Sequence, residues 1–183
     1  MPTGAPDYAE PIVGWRGWSV VPSRAGLRLC SPMYRTVWLP RRETLALCRG
    51  HDHSWKPSRP ALHAAPQANC RCGLYASTSV KTAASFVRGR GSLHEAIGAV
   101  IGQVSLWGSV VECECGWRAS HAYPARLYVP LGEQGRFSIL FGYGADAERL
   151  AQALRAYGVP VELVASRSVR ELARVIESEC GQA

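Results

Sequence analysis

Val110-Val-Glu-Cys-Glu-Cys115-Gly116-Trp117-Arg-Ala-Ser-His-Ala-Tyr-Pro-Ala-Arg-Leu-Tyr-Val129 alternates apolar and polar side chains on either side of a glycine. A period of two residues belongs to a strand with one buried face, and a glycine between two such runs marks a reversal of the chain. The stretch therefore reads as two strands, Val110–Cys115 and Trp117–Val129, the first entered from a turn at Gly108-Ser109.

Working outward, Gln103–Trp107 is a further strand, reached from a short helix over Ser92–Val100. Nearer the N-terminus, Ile12–Val21 and Gly26–Leu39 read as strands around Pro22-Ser-Arg-Ala-Gly26, rich in the aromatic and branched residues that favour sheets. Pro40 and Arg41-Arg42-Glu43 open a short helix to Cys48. Gly73–Ala76 is a brief strand, and Ser77-Thr78-Ser79 caps a helix over Val80–Val87.

After about residue 133 the texture changes. Phe137–Phe141 is an apolar strand, and Ala145–Tyr157 is a helix stopped by Gly158-Val-Pro160. Val161–Val164 is a strand, and Ser166 caps an amphipathic helix over Val169–Glu179 with Leu172, Val175 and Ile176 on one face. The expected fold is α+β: a mainly antiparallel sheet with few helices, a zinc-clamped loop and a C-terminal strand-helix-strand-helix unit. The expected organisation is a frayed 1–11, a sheet domain over 12–132 and an extension over 133–183 packed on it.

Cysteine and histidine crowd one region: Cys48-Arg-Gly-His51-Asp-His53, then His63, then Cys70-Arg-Cys72. Residues 49 to 69 hold three prolines and three histidines with no sustained period, so this long loop needs an external restraint. Thiolates and imidazoles are the donors of tetrahedral zinc, and the metal supplies folding energy that such a segment lacks. Cys48, Cys70 and Cys72 supply three thiolates. The fourth ligand is His63, which precedes Cys70 by a short Pro-containing connection, with His51 and His53 as substitutes. A rival all-thiolate set is Cys70, Cys72, Cys113 and Cys115, since Cys113 and Cys115 share a strand face. A site closed by four protein ligands is structural.

The net charge is +7 and unevenly placed. Residues 1–90 carry 13 basic against 4 acidic side chains, and residues 91–183 carry 8 against 10. Such asymmetry points to a polyanion-facing N-terminal half, nucleic acid being the commonest polyanion. Only two of the 21 basic residues are lysines, and arginine pairs bidentately with phosphate and stacks on bases. No apolar run reaches the length of a membrane span, and Met1–Glu10 has neither a basic region nor an apolar one of the kind a secretion signal carries. The expectation is a cytoplasmic protein with reduced cysteines.

Three further elements occur in order: Trp15-Arg16-Gly17 in an early strand, Tyr75-Ala-Ser77-Thr78-Ser79 before a helix, and Glu112-Cys-Glu114. Together they resemble the Arg, Ser-Thr-Ser, Glu-x-Glu series of mono-ADP-ribosyltransferases. The resemblance implies an NAD-using enzyme in which Arg16 holds the dinucleotide, Ser77 and Ser79 shape its pocket, and Glu114 stabilises an oxocarbenium-like ribose while Glu112 helps position the acceptor. A carboxylate beside developing positive charge is what that step needs. Two weaker features complete the reading. Trp117, His121 and Tyr123 share a strand face that can stack on a base. Gly142-Tyr-Gly144 lacks the third glycine and the lysine of a phosphate-cradling turn.

Overall fold

A computed structural model describes residues 10–33, 36–48, 63–88, 96–132 and 147–180. Its strands are β1 (Ile12–Ser23), β2 (Gly26–Cys30), β3 (Val37–Trp38), β4 (Thr44–Leu45), β5 (Leu74–Ser77), β6 (Gly98–Cys113), β7 (Gly116–Pro130) and β8 (Val161–Val164). The helices are α1 (Val80–Arg88), α2 (Ala147–Leu154), which runs into a 3-10 turn at Arg155–Tyr157, and α3 (Val169–Cys180). All eight strands belong to one sheet, antiparallel except where β8 runs parallel to β7.

The alternating stretch forms the long β6–β7 hairpin, with Cys113 opposite Gly116 across a two-residue turn. Along its other edge β6 pairs with β1, from Ile12 opposite Leu106 to Val20 opposite Gly98. β7 pairs with β5, and β5 returns to β1 through Trp15 opposite Ser77. The pairings β1–β6–β7–β5–β1 thus close a ring. Gly116 lets the ring close, because a Cβ there would lie 2.0 Å from the Ala76 carbonyl oxygen, and its φ of +150° disfavours other residues.

Alternation along the strands divides the apolar side chains between two cores. Trp18, Val20, Val100, Val104 and Leu127 join Trp38 and the buried side of α2 in the larger one. Trp18 and Trp38 meet there edge to face at 5.5 Å. Ile101 turns the other way and packs with α1 and α3, where Trp15 and Tyr128 also lie. Helix α1 approaches β1 over Gly17, where a Cβ would collide with Val87. Lys81 of α1 and Glu177 of α3 are 2.5 Å apart.

The segment after α2 is tied to the N-terminal strands by Tyr157. Its hydroxyl donates to the Trp38 carbonyl at 2.6 Å and accepts from the Leu29 N–H at 2.9 Å. Tyr123 donates to the Tyr157 carbonyl at 2.8 Å, and Gly158 ends the 3-10 turn at φ +72°.

Several expected elements take other forms. The helix expected over Glu43–Cys48 is instead the short strand β4, because an isolated turn or two of helix is marginal whereas β7 offers a free edge. Gly98–Val100, expected to end a helix, begins β6 against β1; residues 92–95 lie outside the described residues. Gly108-Ser109 does not separate two strands but sits in an irregularity of one, with Gly108 at φ +74°. The strand Gly26–Leu39 is divided into β2 and β3. The expected strand Phe137–Phe141 and the turn Gly142-Tyr-Gly144 lie outside the described residues, as do His51 and His53. Among the described residues no helix is long and apolar enough to cross a membrane.

Candidate metal centre

Two stretches of chain deliver the ligands, one leaving β4, which pairs with β7, and one, from His63 to Cys72, leading into β5, which also pairs with it. β4 pairs with Ala122 and His121, and the next residue, Ala46, donates its N–H to the Ser120 carbonyl at 2.8 Å. That fixes the chain entering Cys48, whose side chain is buried. Cys70 and Cys72 precede β5, and the Cys70 N–H closes a turn on the Gln67 carbonyl at 3.0 Å. Gly73, at φ +127°, then turns the chain into β5.

The ligand atoms of Cys48, His63, Cys70 and Cys72 all lie within 4.8 Å of one another, so the cluster can hold a metal ion. The Cys48 and Cys70 sulfurs are 3.8 Å apart. Two thiolates bound tetrahedrally at a metal–sulfur length near 2.3 Å stand about 3.8 Å apart, so this spacing fits a tetrahedral metal ion. His63 Nδ1 is 2.9 Å from the Ala64 carbonyl oxygen. A carbonyl only accepts, so Nδ1 carries the proton and Nε2 is left for a metal.

The electrostatics differ from thiol to thiol. Cys70 is lowered to about 6, chiefly by the Cys72 backbone N–H. Burial pushes the Cys72 thiol up to about 11. The Ala64 carbonyl, then Cys70, raise the His63 imidazole above its ordinary value. Three thiols and an imidazole held this close compete for protons, and a cation replaces those protons on binding.

Behind the cluster lies an arginine that a period of two places on the strand face opposite Trp117, His121 and Tyr123. Arg118 of β7 is buried, and its Nη1 donates to the Cys70 carbonyl and, at 3.0 Å, to the Cys72 carbonyl. Its Nε is 3.3 Å from the Cys113 sulfur. Cys113 is therefore engaged by Arg118, and the four-residue group that converges is the one containing Cys48 and His63, not the all-thiolate set. Burial works against the Arg118 charge, but Cys113, Tyr75 and Cys72 hold its pKa above the ordinary arginine value.

The residues singled out by the transferase resemblance are distributed differently. Arg16 faces the larger core, donating to the Tyr75 carbonyl and, at 2.9 Å, to Ser31 Oγ, with its guanidinium 4.9 Å from the Trp38 ring centre. Burial lowers its pKa to about 10. Ser77 is buried opposite Trp15, so it shares the face of Trp15, and Arg16 points to the other. Ser79 Oγ accepts from the Lys81 N–H at 3.2 Å as the cap of α1. Glu112 and Glu114 are exposed, on β6 and in the hairpin turn. The described hydrogen bonds of Arg16 go to Tyr75 and Ser31, not to the serines of the motif or either glutamate.

Trp117 and Tyr123 pack against the larger core, while His121 stacks on Trp107 with ring centres 5.9 Å apart. No protein-family model, curated protein or solved structure matches this chain.

Proposed function

We propose that Cys48, His63, Cys70 and Cys72 bind one zinc ion, and that the chain is a zinc-stabilised module whose basic N-terminal half contacts nucleic acid. The observation that carries the zinc reading is the convergence of three thiols and one imidazole on a common point. Soft sulfur donors with one imidazole suit zinc and disfavour magnesium and calcium, which take oxygen ligands. Four protein ligands complete a tetrahedral shell, so the metal's role is to hold the chain in place.

The charge distribution supports the nucleic-acid part: 13 basic against 4 acidic residues over positions 1–90. Phosphate contacts release counterions, so affinity must fall as salt rises. Fluorescence anisotropy with labelled single-stranded and duplex oligonucleotides over a salt series tests this. A steep negative slope of log affinity on log salt is expected, and a flat one excludes phosphate contacts as the driver.

A further inference from the structure

We infer that Arg118 is the positioning residue of the metal centre, holding the Cys70–Cys72 segment in ligating shape and balancing the charge of the metal–thiolate group. This rests on the zinc reading above. The first observation is the direction of the backbone. The carbonyls of Cys70 and Cys72 both receive Nη1 of Arg118, and Nη2 lies 3.5 Å from the Ala68 carbonyl. A planar guanidinium with five donors in fixed directions collects alternate carbonyls of a turn in a way that a lysine ammonium does not. With the carbonyls of Cys70 and Cys72 gathered on one donor, the turn that aims the two sulfurs is held from its backbone side, opposite the ion.

The second observation is the packing. A Cβ at Gly73 would stand 3.0 Å from the Arg118 Cβ and 3.2 Å from the Pro66 Cβ, so the ligand segment lies directly against the arginine stem. Tyr75 covers the guanidinium with its ring centre 5.9 Å away and donates its hydroxyl to the Arg71 carbonyl at 2.6 Å. Arg71 is the residue between the two cysteines, so all three peptide units of that triplet are engaged.

The third observation is the charge. Arg118 is 6% exposed, and among the described residues no carboxylate pairs with it. A buried guanidinium stays charged only among acceptors, here backbone carbonyls and the Cys113 sulfur. Zinc with three thiolates and a neutral imidazole would carry one net negative charge, and that charge would face the Arg118 guanidinium.

The test compares wild type with Arg118→Ala and Arg118→Lys, reading zinc affinity by competition with a chromophoric chelator and site geometry from the visible spectrum of the cobalt-loaded protein. Near-UV circular dichroism of the tryptophans monitors the sheet. Arg118→Ala is expected to bind zinc about 10- to 100-fold more weakly, as loss of groups that orient metal ligands generally does. Arg118→Lys, which keeps the charge and most of the volume, recovers part of that loss with an altered cobalt spectrum. If Arg118→Ala fails to fold, the lysine variant alone decides. Either folded variant binding zinc like wild type, with the same cobalt spectrum, overturns the inference and leaves the zinc reading intact; wild type that takes up no zinc overturns both.

Discussion

The sulfurs of Cys48 and Cys70 stand 3.8 Å apart although 22 positions separate them in the chain. The chain leaving β4 and the turn entering β5 are held beside each other by pairing to β7, so the contact is a consequence of the sheet. With Cys72 and His63 added, the four side chains form a group that can hold a metal ion.

Removing one ligand therefore acts at a distance from itself. Cys48→Ser and Cys70→Ser are expected to lose stoichiometric metal and to lower the thermal midpoint. A loss of 2–3 kcal/mol in a chain of this size corresponds to roughly 4–12 °C. Cys115→Ser, at an exposed position in the β6–β7 turn, is expected to leave both quantities within error. Calorimetry with metal analysis checks the three variants side by side.

Chelation makes a complementary prediction about local order. Metal binding is coupled to the shape of the ligand segment, so stripping the ion should accelerate amide exchange at Cys70 through Gly73 while the β6–β7 ladder stays protected. Hydrogen exchange before and after treatment with a strong chelator reads this directly. Uniform acceleration across the ladder as well would mean that the ion supports the whole sheet.

Tyr157 gives the stability a dependence on alkaline pH. Burial pushes its hydroxyl up to about 12 from an unfolded value near 10, so the folded state keeps a proton that the unfolded chain releases. The contribution is complete below pH 10 and falls as pH rises towards 12, by about 2–3 kcal/mol in all. Tyr157→Phe should remove that slope. At neutral pH the same variant should cost about 1–3 kcal/mol, because the Leu29 N–H and Trp38 carbonyl lose their partner. Urea unfolding of both proteins at pH 8 and pH 10.5 separates the two effects.

Ring closure depends on the absence of a side chain at Gly116. Gly116→Ala places a carbon against the Ala76 carbonyl with no flexible group to yield, at a φ of +150°. The expected cost is about 3 kcal/mol or more, read as a lower urea midpoint. An alanine variant as stable as wild type would contradict the β5–β7 closure.

The long strands were legible because a half-buried strand writes its period of two into the sequence, as Gly116–Pro130 does. The cap at Ser79 was legible for the same reason, since its partner lies two residues away. Thr44–Leu45 was not. Its state is decided by the free edge of β7, a neighbour remote in sequence, and a short segment has too little local preference to resist. The clustering of Cys48, His63, Cys70 and Cys72 was readable because thiol and imidazole donors declare their chemistry wherever they lie. Arg118 was not, since alternation shows that it faces away from Trp117 and Ala119 but not that a loop covers that face. Closure of β5 on β1 through Trp15 and Ser77 is equally a tertiary event with no local trace.

The central claim is tested most directly by elemental analysis of the protein purified without added metal, alongside its Cys70→Ser variant. One zinc per chain in wild type and none in the variant is the predicted result; metal-free wild type that is folded and melts cooperatively, or a variant that keeps its zinc, would contradict it.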